Sequence, residues 1–457
     1  MKRFYLVIVA STVLLSGCMM GPNYKRPATP LPGQFHGAAE PPSAGSIADK
    51  KWVTLFDDDT LKQLVNTALQ HNFDLRIATE RVEEARAQFG ITHANQFPFL
   101  DGQANFTSVK SPVYGSEALS FLQVGAALSW ELDFWGRLRR QTQAAQAQYL
   151  ASEEGHRGAV VTLVATVMNT YFQLREQDLE LEISRKTRDV ANDNLRLVEL
   201  RHQRGVVSGL DVRQAQQFLY TATAQVAAAE RGIGQTEDAL SLLLGGPPET
   251  QPRGKDLEQI PLPPELPAGL PSGLLARRPD IREAEQNLIA ANAQIGAARA
   301  LYFPQISLTA SGGALSTTLK GLTSSGNRVY QVTPAALIPI FHWGQIQQQV
   351  RLSEAQEREL LLVYQKSIYT ALKEVSDALI GHDRIREQRE QQQLLVDALT
   401  DSVRLSTQRY EGGLDSYLQV LDAQRNLFTG QLTLSELRLQ ELQSVTELYR
   451  ALGGGWQ

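Results

Sequence analysis

The stretch RYEGGLDSYLQVLDAQRNLF, Arg409–Phe428, breaks a long helical pattern with two glycines and an aspartate. Arg201–Tyr220 reads RHQRGVVSGLDVRQAQQFLY and breaks its helix at the same place. Arg201, Gly205, Ser208, Leu210, Val212, Ala215 and Gln216 recur 208 positions later as Arg409, Gly413, Ser416, Leu418, Val420, Ala423 and Gln424. A turn built twice at one spacing means that the chain is a duplication, and such a period governs the fold.

Working outward, Gln123, Val124, Ala127, Trp135 and Gly136 match Gln331, Val332, Ala335, Trp343 and Gly344 at the same offset. Nearer the N-terminus the offset is 206, carrying Asp74, Arg76, Gly90, Phe97 and Pro98 onto Asp280, Arg282, Gly296, Phe303 and Pro304. Within each copy the periodicity changes. Leu122, Val124, Ala126, Leu128, Trp130 and Leu132 alternate with polar or small residues, the period-two pattern of a strand. From Gly136 to Gly205, and from Gly344 to Gly412, no proline occurs and apolar residues step by three and four. Val160, Val164, Val167, Tyr171 and Leu174 form one such seam, suited to helix-on-helix packing. Each helical stretch spans about 67 residues, roughly 100 Å at the α-helical rise, and needs partners along its whole side.

The expected organisation is an export signal over 1–17, a tether over 18–50, a first repeat over 51–248, a linker over 249–278 and a second repeat over 279–457. The first repeat holds strands at about 97–109 and 120–133 and long helices at about 137–203 and 209–244. The second holds strands at about 303–314 and 329–341 and helices at about 345–411 and 415–452. The fold class is therefore α+β, with four strands and two long helical hairpins per chain. Four strands cannot close a barrel, and an open edge in lipid leaves backbone groups unpaired at several kcal/mol each. Placed in a membrane, these strands require several chains, since closure takes at least about eight.

The N-terminus MKRFYLVIVASTVLLSGC has two cations, an apolar run and small residues before Cys18, the layout of an export signal. Leu15-Ser16-Gly17-Cys18 resembles a bacterial lipobox, which makes Cys18 the expected lipidation site. Among bacterial lipoproteins Met19, in place of the aspartate that favours inner-membrane retention, points to the outer membrane. As the sole cysteine, Cys18 forms no intrachain disulfide. Charged residues are 20% of the chain and the net charge is −5 with no basic block, so nucleic acid is not an expected partner. The seven histidines are scattered, and no nucleophile elbow, metal-ligand spacing or phosphate loop appears, so no enzyme, metal or cofactor is expected beyond the covalent lipid. Asp57-Asp58-Asp59 reads as the N-terminal cap region of a helix rather than a metal site.

The lipobox, Pro22-Asn23-Tyr24 with Pro27, Asp133-Phe134-Trp135-Gly136-Arg137, Arg277-Arg278-Pro279-Asp280-Ile281-Arg282, Ala290-Ala291-Asn292, Phe303-Pro304, Leu421-Asp422-Ala423-Gln424-Arg425 and the ending Ala451-Leu452-Gly453-Gly454-Gly455-Trp456 carry a resemblance. Together they resemble the outer membrane factors related to TolC, in particular the lipoprotein branch typified by OprM that serves resistance-nodulation-division efflux pumps. The resemblance covers essentially the whole mature chain. It implies a homotrimer whose twelve strands form one outer-membrane barrel, continued by a twelve-helix periplasmic barrel. It also implies a periplasmic adaptor and an inner-membrane resistance-nodulation-division transporter as partners, exporting small molecules. An exit duct of a type I-like secretion system shares the fold, and a periplasmic coiled-coil lipoprotein without a channel is the third alternative.

The resemblance further implies that the turns at Gly205, Ser208, Gly413 and Ser416 are adaptor-docking tips. It places Leu418 and Asp422, which share a helix face, at a periplasmic gate with Arg425. It also sets Tyr410 near Asp211, where a hydrogen bond would latch neighbouring helices. The repeat is asymmetric here: Asp422 pairs with Gln214 in the first copy and Asp211 with Gln419 in the second, so each copy supplies one acid.

Overall fold

The computed structural model describes residues 19–38, 45–110, 118–262 and 267–455. The expected signal and the lipidation site Cys18 fall outside the described residues. Helices α1 (Asp59–His71) and α2 (Phe73–Ala94) lead into strands β1 (Phe99–Val109) and β2 (Leu119–Leu132). The long α3 (Arg137–Gln203) and its return α4 (Gly209–Leu243) follow. After a connector, α5 (Pro279–Ala300), β3 (Gln305–Ser316), β4 (Arg328–Leu337), α6 (Gln345–Glu411) and α7 (Tyr417–Ala451) repeat the series from α2 onward.

The helix bounds obey the sequence offsets. Adding 206 to α2 gives α5, and adding 208 to α3 and α4 gives α6 and α7. Glycine sets the stops. Gly205, Gly245, Gly413 and Gly453 hold φ between 73° and 81°, the left-handed region that closes a helix. After each, the next amide reaches back to a carbonyl five residues earlier: Val206 to Arg201 at 2.9 Å, Gly246 to Ser241 at 3.0 Å, Leu414 to Arg409 at 2.9 Å and Gly454 to Tyr449 at 3.0 Å. β4 stops at Leu337, short of the expected 341, where Pro339 cannot donate to a ladder.

The chain divides into two compact units, each holding parts of both repeats. The first comprises Met1–Thr29, Glu80–Glu153 and Glu283–Lys366. Its four strands form an antiparallel meander in the order β1-β2-β3-β4. The β2–β3 seam joins the repeats, with Leu128 opposite Ala310 and Gly125 opposite Gly313. A Cβ on Gly313 would overlap the backbone of Val124 and Gly125, so this approach requires glycine. β1 and β4 have no strand partner on their outer edges among the described residues, and β4 is exposed along its length. Beside the sheet, Ala144 and Ala147 of α3 meet Ala290 and Ala293 of α5, small residues that let the helices close up.

The expected tether is strapped down although it carries no regular structure over 19–38. The Arg140 guanidinium donates to the Met20 carbonyl at 2.9 Å and to Asn23 Oδ1 at 2.9 Å. Arg26 donates twice to the Glu285 carboxylate, at 2.6 and 2.5 Å, in the paired geometry that arginine alone provides.

The second unit comprises Pro30–Thr79, Glu154–Arg282 and Ser367–Gln457. Of the three adjacent acids, Asp58 is the cap of α1 and is 1% exposed. Its carboxylate accepts from Thr60 N at 2.9 Å, Leu61 N at 3.1 Å, the Tyr171 hydroxyl at 2.7 Å and Lys255 N at 3.1 Å. One buried side chain thus ties α1, α3 and the connector together, and burial with this hydrogen bond raises the Tyr171 pKa. No described helix is long and apolar enough to cross a membrane.

Asp58→Ala is expected to destabilise the protein by about 2–3 kcal/mol, because it removes a helix cap and leaves several donors unpaired. Thermal unfolding followed by circular dichroism checks this, and an unchanged midpoint would contradict the role given to Asp58.

Candidate functional site

The two breaks at Gly205 and Gly413 belong to the second unit, and the ends of four helices meet there. Ala191, Leu195 and Val198 of α3, Ala215 and Phe218 of α4, Tyr410 of α6, and Tyr417, Val420, Leu421 and Phe428 of α7 share one buried cluster. Phe218 and Phe428 meet edge to face at 6.4 Å. This core fixes the turns from behind and leaves their outer surface open.

The first turn is closed by a capping box. Ser208 N and Oγ both donate to Asp211 Oδ2 at 2.9 Å, and Asp211 N returns a bond to Ser208 Oγ at 3.4 Å. The second turn has Gln419 where the first has Asp211, and Ser416 makes no side-chain cap bond. Arg409 closes it instead, donating to Asp415 at 2.5 and 3.1 Å. The guanidinium holds the Asp415 carboxyl below the usual carboxylate range and is itself raised. At the apex of each turn Val206 and Leu414 are exposed.

The two hairpins touch through a stack that was not anticipated from the sequence. Asp415 of the second copy corresponds to Val207 of the first, so Arg201 lacks the carboxylate that its counterpart Arg409 holds. The Arg201 guanidinium instead lies 4.4 Å from the centre of the Tyr410 ring, a cation–π contact. Tyr410 in turn packs against Tyr417 at 5.5 Å. Burial, with the Tyr410 phenol and the Asp211 carboxylate nearby, pushes the Tyr417 hydroxyl up to about 12, partly offset by Arg425. That mismatch between the repeats at 207 and 415 is the signal from which Arg201 could have been found.

Among the described residues of one chain, no hydrogen bond joins Tyr410 to Asp211. Asp211 is engaged by Ser208, and the buried Tyr410 hydroxyl has no hydrogen-bond partner among the described residues. Arg425 reaches Gln217, its own counterpart in the first repeat, at 3.0 Å. Leu418 and Asp422 lie on the outer face of α7, opposite the buried Tyr417, Val420 and Leu421. Leu418 is 48% exposed, and Asp422 is exposed with Asn426 as its neighbour at 3.2 Å. The chain therefore presents an apolar and an acidic side chain, one helical turn apart, on a face that its own core does not use.

Known proteins place this architecture. The family model described as "Outer membrane efflux protein" matches residues 64–246 and 270–454, one stretch in each repeat. The chain is 40% identical over 465 residues to the solvent efflux pump outer membrane protein SrpC of Pseudomonas putida, covering 99% of each. The crystal structure of a membrane protein from Pseudomonas aeruginosa matches with a TM-score of 0.89 at 35% identity, over 95% of this chain and 100% of that one. The open state of the MtrE outer membrane channel of Neisseria gonorrhoeae matches with a TM-score of 0.88 at 31% identity, over 96% and 99%.

The second turn should be acid-sensitive. Because the folded Asp415 pKa is lowered, its ion pair contributes above the unfolded value of about 3.9 and is lost as pH falls through the lowered folded value. Hydrogen exchange is expected to show protection of the Gly413 and Leu414 amides falling below about pH 4. Asp415→Asn should abolish that pH dependence, and its persistence in the variant would contradict the assignment.

Proposed function

The chain belongs to the outer membrane efflux protein family, and on that premise we propose that it is the exit duct of a tripartite pump, assembled as a homotrimer. The open edges of β1 and β4 carry this reading. A four-stranded sheet with two free edges has no stable place in a bilayer, and three copies supply twelve strands that pair edge to edge. The helices α3, α4, α6 and α7 of three copies then give twelve helices around a periplasmic tunnel. Cys18 is proposed as the acylated anchor holding the chain to outer-membrane lipid, with the strap after it fixed by Arg140 and Glu285. Two or more acyl chains are what stable anchoring requires.

Chemistry is absent from the proposed mechanism. An inner-membrane resistance-nodulation-division transporter loads small molecules, a periplasmic adaptor joins it to the duct, and the solute leaves by diffusion. The tips at Gly205, Ser208, Gly413 and Ser416 are proposed as the adaptor's docking surface, where exposed Val206 and Leu414 offer apolar contacts beside polar caps. Just inside, Leu418 from three copies forms an apolar constriction and Asp422 an acidic ring. Carboxylates brought together around an axis attract cations. Changing the aperture requires the two hairpins of one chain to shift, which strains the Arg425–Gln217 bond and the Arg201–Tyr410 stack.

Asp422→Ala is expected to raise single-channel conductance in planar bilayers and to weaken cation selectivity. Unchanged conductance together with unchanged selectivity would refute the gate assignment.

A further inference from the structure

The two repeats finish their second strand with different chemistry. In the first, Glu131 near the end of β2 accepts from Arg137 Nε at 3.1 Å and from its Nη2 at 2.6 Å, an ion pair that spans from β2 to the start of α3. At the offset of 208 the second repeat holds Pro339 and Gln345 in these places, and Leu337 where the first has Ser129. The charge is gone. A cavity of about 330 Å³ lies at these second-repeat positions, between the ends of β4 and α5 and the start of α6.

Phe303, Leu337, Pro339 and Ile346 give this cavity apolar walls, with His342 and Gln345 beside them. No Asp, Glu, Lys or Arg lines it among the described residues. The Phe303 wall is held from behind: the Trp135 indole stacks on it with ring centres 4.8 Å apart, and its Nε1–H donates to the Pro304 carbonyl at 2.8 Å. A wall fixed in advance loses little freedom when a ligand arrives. The volume falls within the roughly 300–1,000 Å³ of small-molecule sites.

Strand register shows which face of the sheet the cavity adjoins. Leu337 stands opposite Gln305, and Thr309 opposite Thr333 and Ser311 opposite Gln331 share that face. The alternate positions Leu308, Ala310, Val332 and Ala336 are apolar. In an apolar-out, polar-in barrel the first face lines the lumen. Leu337, 71% exposed, is then an apolar side chain on the face that solute passes.

We propose that this cavity is a transit site for solute at the base of the barrel, taking an uncharged small molecule with an apolar ring body and one hydrogen-bonding group. The body packs on Phe303, Leu337, Pro339 and Ile346, and the polar group pairs with Gln345 or His342. The inference rests on the barrel reading above and deepens it. A charged solute is disfavoured, because no opposite charge lines the cavity to offset its desolvation. The Glu131–Arg137 pair places charge at the corresponding position of the first repeat, so the two repeats differ in what they admit.

Photolabelling of the full-length protein in lipid nanodiscs tests this, with hydroxymethyl-benzophenone, an uncharged two-ring alcohol, as the probe. Label is expected within residues 301–305 and 337–349, and an excess of the non-photoreactive alcohol benzhydrol is expected to remove it. Pro339→Glu with Gln345→Arg, which installs the ion pair of the first repeat, should lower that label at least about tenfold. Leu337→Ser, a milder change at an exposed strand position, should lower it about threefold or more. Circular dichroism and oligomer size are expected to stay unchanged in both variants. Label that benzhydrol does not remove, or that is concentrated on the apolar face at Leu308, Ala310 and Val332, reports partition into lipid and overturns the site. Label unchanged in both variants overturns it as well. An oligomer by light scattering that takes no label in these segments has the cavity covered by a second copy, which overturns the inference while the duct stands. A monomeric protein that takes the competed label overturns the duct reading and the transit role, and leaves the binding site standing.

Discussion

Two strand edges that have no strand partner among the described residues constrain the rest of this protein. β2 and β3 are paired on both sides, whereas β1 and β4 are each paired on one side among the described residues. In water such an edge is tolerable. In a bilayer each unsatisfied group costs several kcal/mol, and no local rearrangement within four strands removes the deficit. The proposed duct is accordingly a property of an assembly rather than of one chain.

Duplication is how the sequence arranges this. Two copies of one hairpin pair meet at the β2–β3 seam, where Gly125 and Gly313 permit close approach and Trp135 stacks on Phe303. A chain built from repeats that join head to tail at its middle ends with one unjoined head and one unjoined tail. The compact units cut across the repeats, since each contains parts of both. Repeats describe the chain's history and its symmetry, while packing describes what is held together.

The sequence was informative wherever a residue type alone forces a backbone state. Glycine at positive φ stops the helices, periodicity separates strand from helix, and the offsets 206 and 208 carry α2, α3 and α4 onto α5, α6 and α7. It was uninformative wherever function depends on which of several partners a polar side chain selects. Asp211 was expected beside Tyr410, yet the nearer Ser208 N and Oγ engage it, because a capping box is local and needs no tertiary fit. Arg201 and Arg409 are the same residue at the same repeat position, but one meets an aromatic ring and the other a carboxylate. The stretch after Cys18 likewise reads as an extended tether, and only the distant Glu285 and Arg140 reveal that it is docked. Long-range pairing of this kind leaves no periodic trace in one sequence.

The central claim is that the open edges of one copy are closed by another. Cryo-electron microscopy of the full-length protein in lipid nanodiscs tests it most directly. The account predicts three copies around one axis, twelve strands in a closed barrel, and β4 of each copy beside β1 of the next. A particle containing one copy, or a four-stranded sheet with its β1 and β4 edges facing lipid, would contradict it.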